Sequence, residues 1–342
     1  MKAAFYVGNK SFSVEEVAPA PPGPDEVQVN IAYCGICGSD MHVYHGDMDW
    51  RVGDHRVIGH EMSGAIAVVG QNVTRFAVGD RVVVRPTVSC GDCAACQRGY
   101  SHVCQKLMIL GMDADGAFQQ TWNAPAANLH KIPDALSMRM GALIEPLAVA
   151  VHCVNRGSVQ AGEDVVVVGG GPIGLLVALV AREAGGNVLI SEPAAFRREI
   201  AAAYGLDTFD PRAGDLKEAV AARTSDKGAD VVFEVSSTQA GVDAMTDVAA
   251  VRGRIVMVAI HTKKPAVDMF RLFATELEII GARVYEASDF DVAIDLLASG
   301  KIDCERMITS VAALDDIGAA FADLDGNADA MKTLVKCGPW NE

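Results

Sequence analysis

Basic residues are in short supply: 29 Lys and Arg face 44 Asp and Glu, leaving a formal charge of −15 and a pI near 4.9. Nucleic acid and anionic membrane are poor partners for such a chain, because counterion release needs clustered cations. The charge carries no information about the fold. An apolar N-terminal run is also missing. Residues 1–12 hold Lys2 at the start, Lys10 near the end and no signal-peptide core, so the expectation is a cytoplasmic protein. No hydrophobic stretch is both long and unbroken. Residues 165–181 (VVVVGGGPIGLLVALVA) carry no charge, but four glycines and a proline interrupt them, so they read as a buried strand followed by a helix. Internal repeats, low-complexity tracts and long linkers are absent.

What remains is ordinary globular composition, half hydrophobic and 21% charged, over 342 residues, a length that suits two domains with ample cores. The first third is rich in Val, Gly and Pro, with short alternating runs such as residues 26–33 and 65–69. Turn signals at 21–24, 70–72 and 79–80 separate them, which predicts a β-rich domain. A long apolar helical pattern begins at 138–156. Strand-like runs at 164–168, 188–192, 230–235 and 254–259 then alternate with alanine-rich helical segments, the pattern of a parallel sheet covered on both faces. After Gly281 the texture is mixed, and a short strand is expected at 332–337.

Four of the nine cysteines, Cys90, Cys93, Cys96 and Cys104, fall within fifteen residues as C-x2-C-x2-C-x7-C. Small residues between them let the backbone wrap an ion, and four thiolates can close a tetrahedron around Zn²⁺. Disulfides fit poorly with a chain lacking a secretory leader. A closed four-thiolate site has no open position, so this zinc is structural and the chemistry lies elsewhere. Cys34, Cys153, Cys304 and Cys337 have no partner pattern and read as packing residues. Cys34 and Cys37 form a C-x2-C, but without the context of a redox motif.

Gly169, Gly171 and Gly174 form G-x-G-x-x-G directly after the strand at 164–168, with Pro172 and Ile173 opening the next helix. The first glycine permits a tight turn, the second lets a pyrophosphate approach the backbone, and the third lets helix and strand pack closely. Glu192, 192 − 174 = 18 residues beyond Gly174, closes the second strand. A carboxylate there can accept hydrogen bonds from ribose hydroxyls and repel a 2′-phosphate, which favours NAD over NADP. Arg197 and Arg198 follow closely and could favour the opposite choice; Arg197 is retained as a cofactor contact.

Other ligand-type residues gather in three places: Cys37 in G-I-C-G-S-D with His42 just after, His60 and Glu61 in G-H-E, and Glu145 in A-L-I-E-P-L. The run G-H-E-x2-G-x5-G-x2-V at 59–73 resembles the zinc-containing alcohol dehydrogenase signature. With the four-cysteine loop and the glycine fingerprint in the same order, the whole chain resembles the medium-chain dehydrogenase/reductase superfamily. The run GALIEPLAVAVH at 141–152 makes it most similar to polyol dehydrogenases of the sorbitol type.

The resemblance implies an α/β architecture: a β-rich, GroES-like catalytic domain at 1–148 and 284–342, and a doubly wound Rossmann NAD-binding domain at 149–283. It implies two zinc ions per subunit, the catalytic one held by Cys37 and His60 with Glu61 and Glu145 as direct or water-mediated partners. It implies hydride transfer from a secondary hydroxyl of a polyol to NAD⁺, giving a ketose, with zinc as the Lewis acid. Ser39 takes the proton and His42 relays it outward, while Asp40 orients the histidine ligand. Arg283 matches a region that touches substrate. Homo-oligomers, tetramers or dimers, are expected. Sugar-acid (hexonate), butanediol and threonine dehydrogenases share most of these motifs and stay open as alternatives. A zinc-free reductase and a non-catalytic sensor that retains the fold are readings of other classes.

Overall fold

The computed structural model describes residues 1–327 and 329–340. The chain forms two compact units, Met1–Glu145 with Glu286–Glu342, and Pro146–Tyr285. Among the described residues, no helix is long and apolar enough to cross a membrane.

In the first unit the alternating runs become strands. Glu26–Gly35 is the centre of a seven-stranded sheet, pairing with Glu61–Val69, Thr121–Pro125 and Lys332–Lys336. All three pairings are antiparallel; the C-terminal strand itself runs parallel to Ile308–Ala313. The C-terminal segment is tied in by packing as well. Helix Ile317–Leu324 carries Phe321, fully buried, onto Phe12 with ring centroids 4.6 Å apart and onto Phe118 at 5.9 Å. Aromatic pairs of this kind add to the area they bury.

The second unit holds six parallel strands in the order Asp207–Phe209, Asn187–Ser191, Asp164–Val168, Ala229–Glu234, Ala249–Met257, Glu278–Gly281. In chain order that is 3-2-1-4-5-6, a doubly wound sheet with its topological switch point between Asp164–Val168 and Ala229–Glu234. Its central strands are buried on both faces, which explains why VVVV reads as a continuous run rather than an alternation.

The helical pattern expected over 138–156 is two helices, Met138–Gly141 and Ile144–Gly157. Pro146 is the reason. It has no N–H to donate to the carbonyl four residues back, at Ala142, and its ring would clash there; in the first turn of a new helix neither matters.

Candidate functional site

The three central strands of the first unit meet around Gly35, which lies opposite both Glu61 and Leu334. A Cβ on Gly35 would sit 2.2 Å from Glu61 Oε2 and 3.2 Å from Lys332 Cε, so only glycine leaves room for what gathers there. Just beyond it, Cys37 caps helix Gly38–Tyr44. Its backbone N–H donates to Asp40 Oδ2 at 2.9 Å, one half of a capping box that fixes the loop. The ligand atoms of Cys37, His60 and Glu61 all lie within 4.8 Å of one another. His60 and Glu61 are buried, and Glu61 Oε1 has no hydrogen-bond partner. A thiolate, an imidazole and a carboxylate converging on one point, one oxygen left orphaned, is the donor set that a zinc ion satisfies.

Behind the trio, Asp40 is fully buried with Oδ1 3.4 Å from His60 Nδ1, the usual support of a metal-bound imidazole. Burial alone would lower the His60 pKa, but Asp40 and then Cys37 outweigh it and raise it well above the ordinary histidine value. Ser39 Oγ lies 3.4 Å from His60 Nε2. His42, one turn along the same helix, has Nδ1 3.1 Å from Asp47 Oδ2 and is partly exposed. Glu145 lies in the first turn of Ile144–Gly157, nearly buried, and is not one of the converging trio.

One residue at this site escaped sequence reasoning. Lys332 is 3% exposed and forms an ion pair with Glu61, while its Nζ also donates to the Ile36 carbonyl at 3.0 Å. Burial would lower its pKa, but Glu61, Cys37 and Glu145 together raise it, so it stays cationic. Nothing in the local sequence signals this. Lys332 opens a strand near the C-terminus, and only the pairing of that strand beside Gly35 brings it to Glu61.

Cys90, Cys93, Cys96 and Cys104 cluster as the spacing predicts, with sulfur atoms 3.4 Å apart for Cys90–Cys104 and 3.5 Å for Cys93–Cys96. Backbone N–H groups of Cys96 and Gln105 hold the Cys93 thiol down at about 6, while Asp92 pushes Cys90 up to about 12. Some thiolates are prepared by the fold, and the rest ionise beside a cation. The donor chemistry again fits zinc.

In the second unit, Gly171 caps the helix Pro172–Glu183, with Pro172 at its first position and Ile173 next. A Cβ on Gly174 would strike the Gly169 carbonyl at 1.9 Å, so this glycine is needed for helix–strand packing. A Cβ on Gly171 would meet nothing closer than Arg197 Nη1 at 3.7 Å, which leaves that backbone bare for a ligand. A bare helix N-terminus beside a guanidinium suits a diphosphate. Glu192 is buried at the end of the second strand, accepting from Gly170 N at 2.7 Å and Ala194 N at 2.8 Å. Arg198 is occupied by the Glu192 and Pro193 carbonyls and by Asp210, whereas Arg197 Nε is buried without a partner. Arg283 is exposed, next to Val284, whose φ of +46° is strained for a β-branched residue.

Two family models match the chain: the alcohol dehydrogenase GroES-like domain over residues 23–134 and zinc-binding dehydrogenase over 172–299. The chain is 52% identical over 337 residues to 2-dehydro-3-deoxy-L-galactonate 5-dehydrogenase of Pseudoalteromonas atlantica, covering 98% of this chain and 99% of that one. It is 33% identical to sorbitol dehydrogenase of Halalkalibacterium halodurans, with 96% of each chain covered. Among solved structures, a protein of Sinorhizobium meliloti described as a zinc-binding dehydrogenase and bound to NADP superposes with a TM-score of 0.93, at 33% identity over 98% of each chain.

Proposed function

The chain belongs to the zinc-binding alcohol dehydrogenase family of medium-chain dehydrogenases, and from that premise we propose that it oxidises a secondary hydroxyl of a sugar acid with NAD⁺. The preferred substrate class is a 2-dehydro-3-deoxy sugar acid oxidised at C5, giving the 5-keto acid, NADH and a proton. The observation that carries this is the 52% likeness, over almost the full length of both chains, to an enzyme of that name. It moves the balance from the polyol expected on motifs alone to the sugar acid that the same motifs allow. Polyol oxidation remains the second reading, supported by the more distant likeness to sorbitol dehydrogenase.

When bound at Cys37, His60 and Glu61, zinc would supply Lewis acidity toward the hydroxyl oxygen, and NAD⁺ would accept the hydride. The chain's own residues do the rest. Asp40 holds the His60 ring in one orientation through Nδ1. Ser39, on the Nε2 side of the same ring, receives the hydroxyl proton, and His42, one turn away and partly exposed, passes it to water. Glu145 and Lys332 adjust the charge around Glu61. Arg283, with no partner among the described residues, is assigned to the substrate carboxylate, since a chain with 15 excess negative charges needs a local cation to hold an anionic substrate. NAD is preferred over NADP because Glu192 occupies the ribose position and Arg198 is already spent on Asp210 and two carbonyls.

A second copy of the chain is assigned to the edge of the six-stranded sheet. The edge strand Glu278–Gly281 exposes Ile279, and helix Met269–Ala274 leaves Phe270 76% and Phe273 80% exposed. Cysteines kept as thiolates for zinc suit a reducing compartment, the cytoplasm.

The test is a panel of 2-dehydro-3-deoxy sugar acids, aldonates and polyols with NAD⁺, read as NADH absorbance before and after chelation. Chelator-sensitive turnover with kcat/KM highest for a sugar acid supports the reading. Preference for a polyol selects the second reading, and no turnover of any alcohol by zinc-loaded protein would sink both.

A further inference from the structure

The dinucleotide unit contains a polar cluster, built around one buried carboxylate, that none of the roles above uses. Glu234, the last residue of the fourth strand in the 3-2-1-4-5-6 order, is fully buried. Its Oε1 accepts from Ser236 N at 2.9 Å and from Ser236 Oγ at 2.6 Å. Its Oε2 lies 2.9 Å from Nε2 of His261, which follows the fifth strand. Ser236 Oγ in turn lies 3.0 Å from Thr238 Oγ1, which caps the helix Gln239–Val248, and Ser237 between them has a left-handed φ of +56°. Left-handed backbone at a serine persists only where its surroundings over-determine it. This loop packs directly on the glycine fingerprint: a Cβ on Gly169 would sit 3.0 Å from Ser236 N.

Location gives the cluster a task. In a doubly wound sheet the dinucleotide crosses the switch point, with its adenosine half over the first three strands and its nicotinamide half over the last three. Glu192 directly follows the second strand, on the adenosine side; Glu234 ends the fourth strand and His261 lies in the loop beyond the fifth, on the other. A buried carboxylate is costly unless it is paired, and Glu234 is paired on both oxygens. Because a carboxylate can only accept, the Nε2–H of His261 donates to Glu234; the other ring nitrogen of a neutral His261 is then left as an acceptor, and Nδ1 has no partner among the described residues.

We propose that Glu234 and His261 form a positioning pair for the nicotinamide half of the cofactor, with Glu234 fixing the tautomer so that His261 Nδ1 accepts from an amide or hydroxyl donor of that half. The same carboxylate holds the Ser236–Thr238 loop against the Gly169 turn. Neither residue exchanges a proton with substrate. The pair rests on the nicotinamide reading of the glycine loop and adds to it the residues that distinguish the two ends of the dinucleotide.

The experiment compares affinities for NADH and AMP by fluorescence and calorimetry, on zinc-loaded wild type, His261→Ala, His261→Gln and Glu234→Gln. The expected result is that His261→Ala raises the NADH dissociation constant about tenfold, the effect of one lost buried hydrogen bond. AMP, which reports only on the adenosine half, should change by less than about twofold. His261→Gln, which restores an acceptor, should recover part of the loss. Glu234→Gln should follow His261→Ala if it folds; if it does not, the His261 variants decide alone. Equal weakening of NADH and AMP, or no change in either, overturns the proposal and leaves the pair a structural support. Failure of wild type to bind NADH at all would instead remove the nicotinamide reading beneath it.

Discussion

Lys332→Met leaves Glu61 as an unpaired carboxylate in a fully buried position. Both side chains are almost completely buried, at 3% and 1% exposure. Methionine fills nearly the same volume, so the packing term is small. Breaking a buried ion pair by removing one partner costs about 3–5 kcal/mol, most of it the stranded charge. The Ile36 carbonyl also loses its donor, adding about 1 kcal/mol. The double variant with Glu61→Gln removes the stranded charge and should recover about 2 kcal/mol or more. Zinc changes the balance, because a cation at Cys37, His60 and Glu61 gives Glu61 another partner. The loss should therefore be smaller in zinc-loaded protein than in stripped protein, and the gain in stability on adding zinc larger in Lys332→Met than in wild type. Urea unfolding followed by tryptophan fluorescence measures this cleanly, since Trp50, Trp122 and Trp340 all belong to the β-rich unit. A loss below about 1 kcal/mol in stripped protein, or a double variant no more stable than the single, would refute the reasoning.

Cys104→Ala should release one zinc of two per subunit and lower the thermal midpoint, with the Cys37 site still loaded; metal analysis by mass spectrometry checks both counts. Ser39→Ala should lower kcat by about a hundredfold, the usual worth of a positioned proton acceptor, at unchanged zinc content. A kcat near wild type would remove Ser39 from the relay. Arg51 grips Asp113 through two hydrogen bonds of 2.7 and 2.6 Å. Burial would raise the Asp113 pKa, but Arg51 and the Ile109 N–H hold it below its ordinary 3.8. A depressed carboxylate contributes stability that is present above its unfolded pKa and lost as pH falls through the folded one. Arg51→Met should therefore cost about 1 kcal/mol at pH 7, discounted for partial exposure, and the gap from wild type should close in acid as the pH falls through the lowered Asp113 pKa. A gap that persists in acid would assign the effect to packing rather than charge.

The parts of this protein written in local spacing are legible in the sequence. The four-cysteine loop and the glycine turn each bring their ligands together within a few residues, and the structure places both sets as the spacing implies. Strands with alternating or continuous valine runs were also readable, because burial on one face or two is encoded in their own residues. The boundary at Pro146 was readable in principle, but the apolar pattern on either side hid the break. Lys332 and the Glu234–His261 pair were not readable. Each depends on strand pairing or strand order, Lys332 on the pairing around Gly35 and Glu234 on a neighbour across the parallel sheet. Substrate is the least legible property, since the motifs proposed for zinc and cofactor are ones that polyol and sugar-acid dehydrogenases share.

The proposed chemistry belongs to Cys37, His60 and Glu61 and not to the four-cysteine loop. Anomalous scattering at the zinc edge from crystals of the purified protein tests it most directly. Two peaks per subunit are expected, one among the four cysteines and one bonded to Cys37 and His60, the second lost in Cys37→Ala together with alcohol oxidation. A single peak at the four-cysteine loop in fully active protein would contradict it.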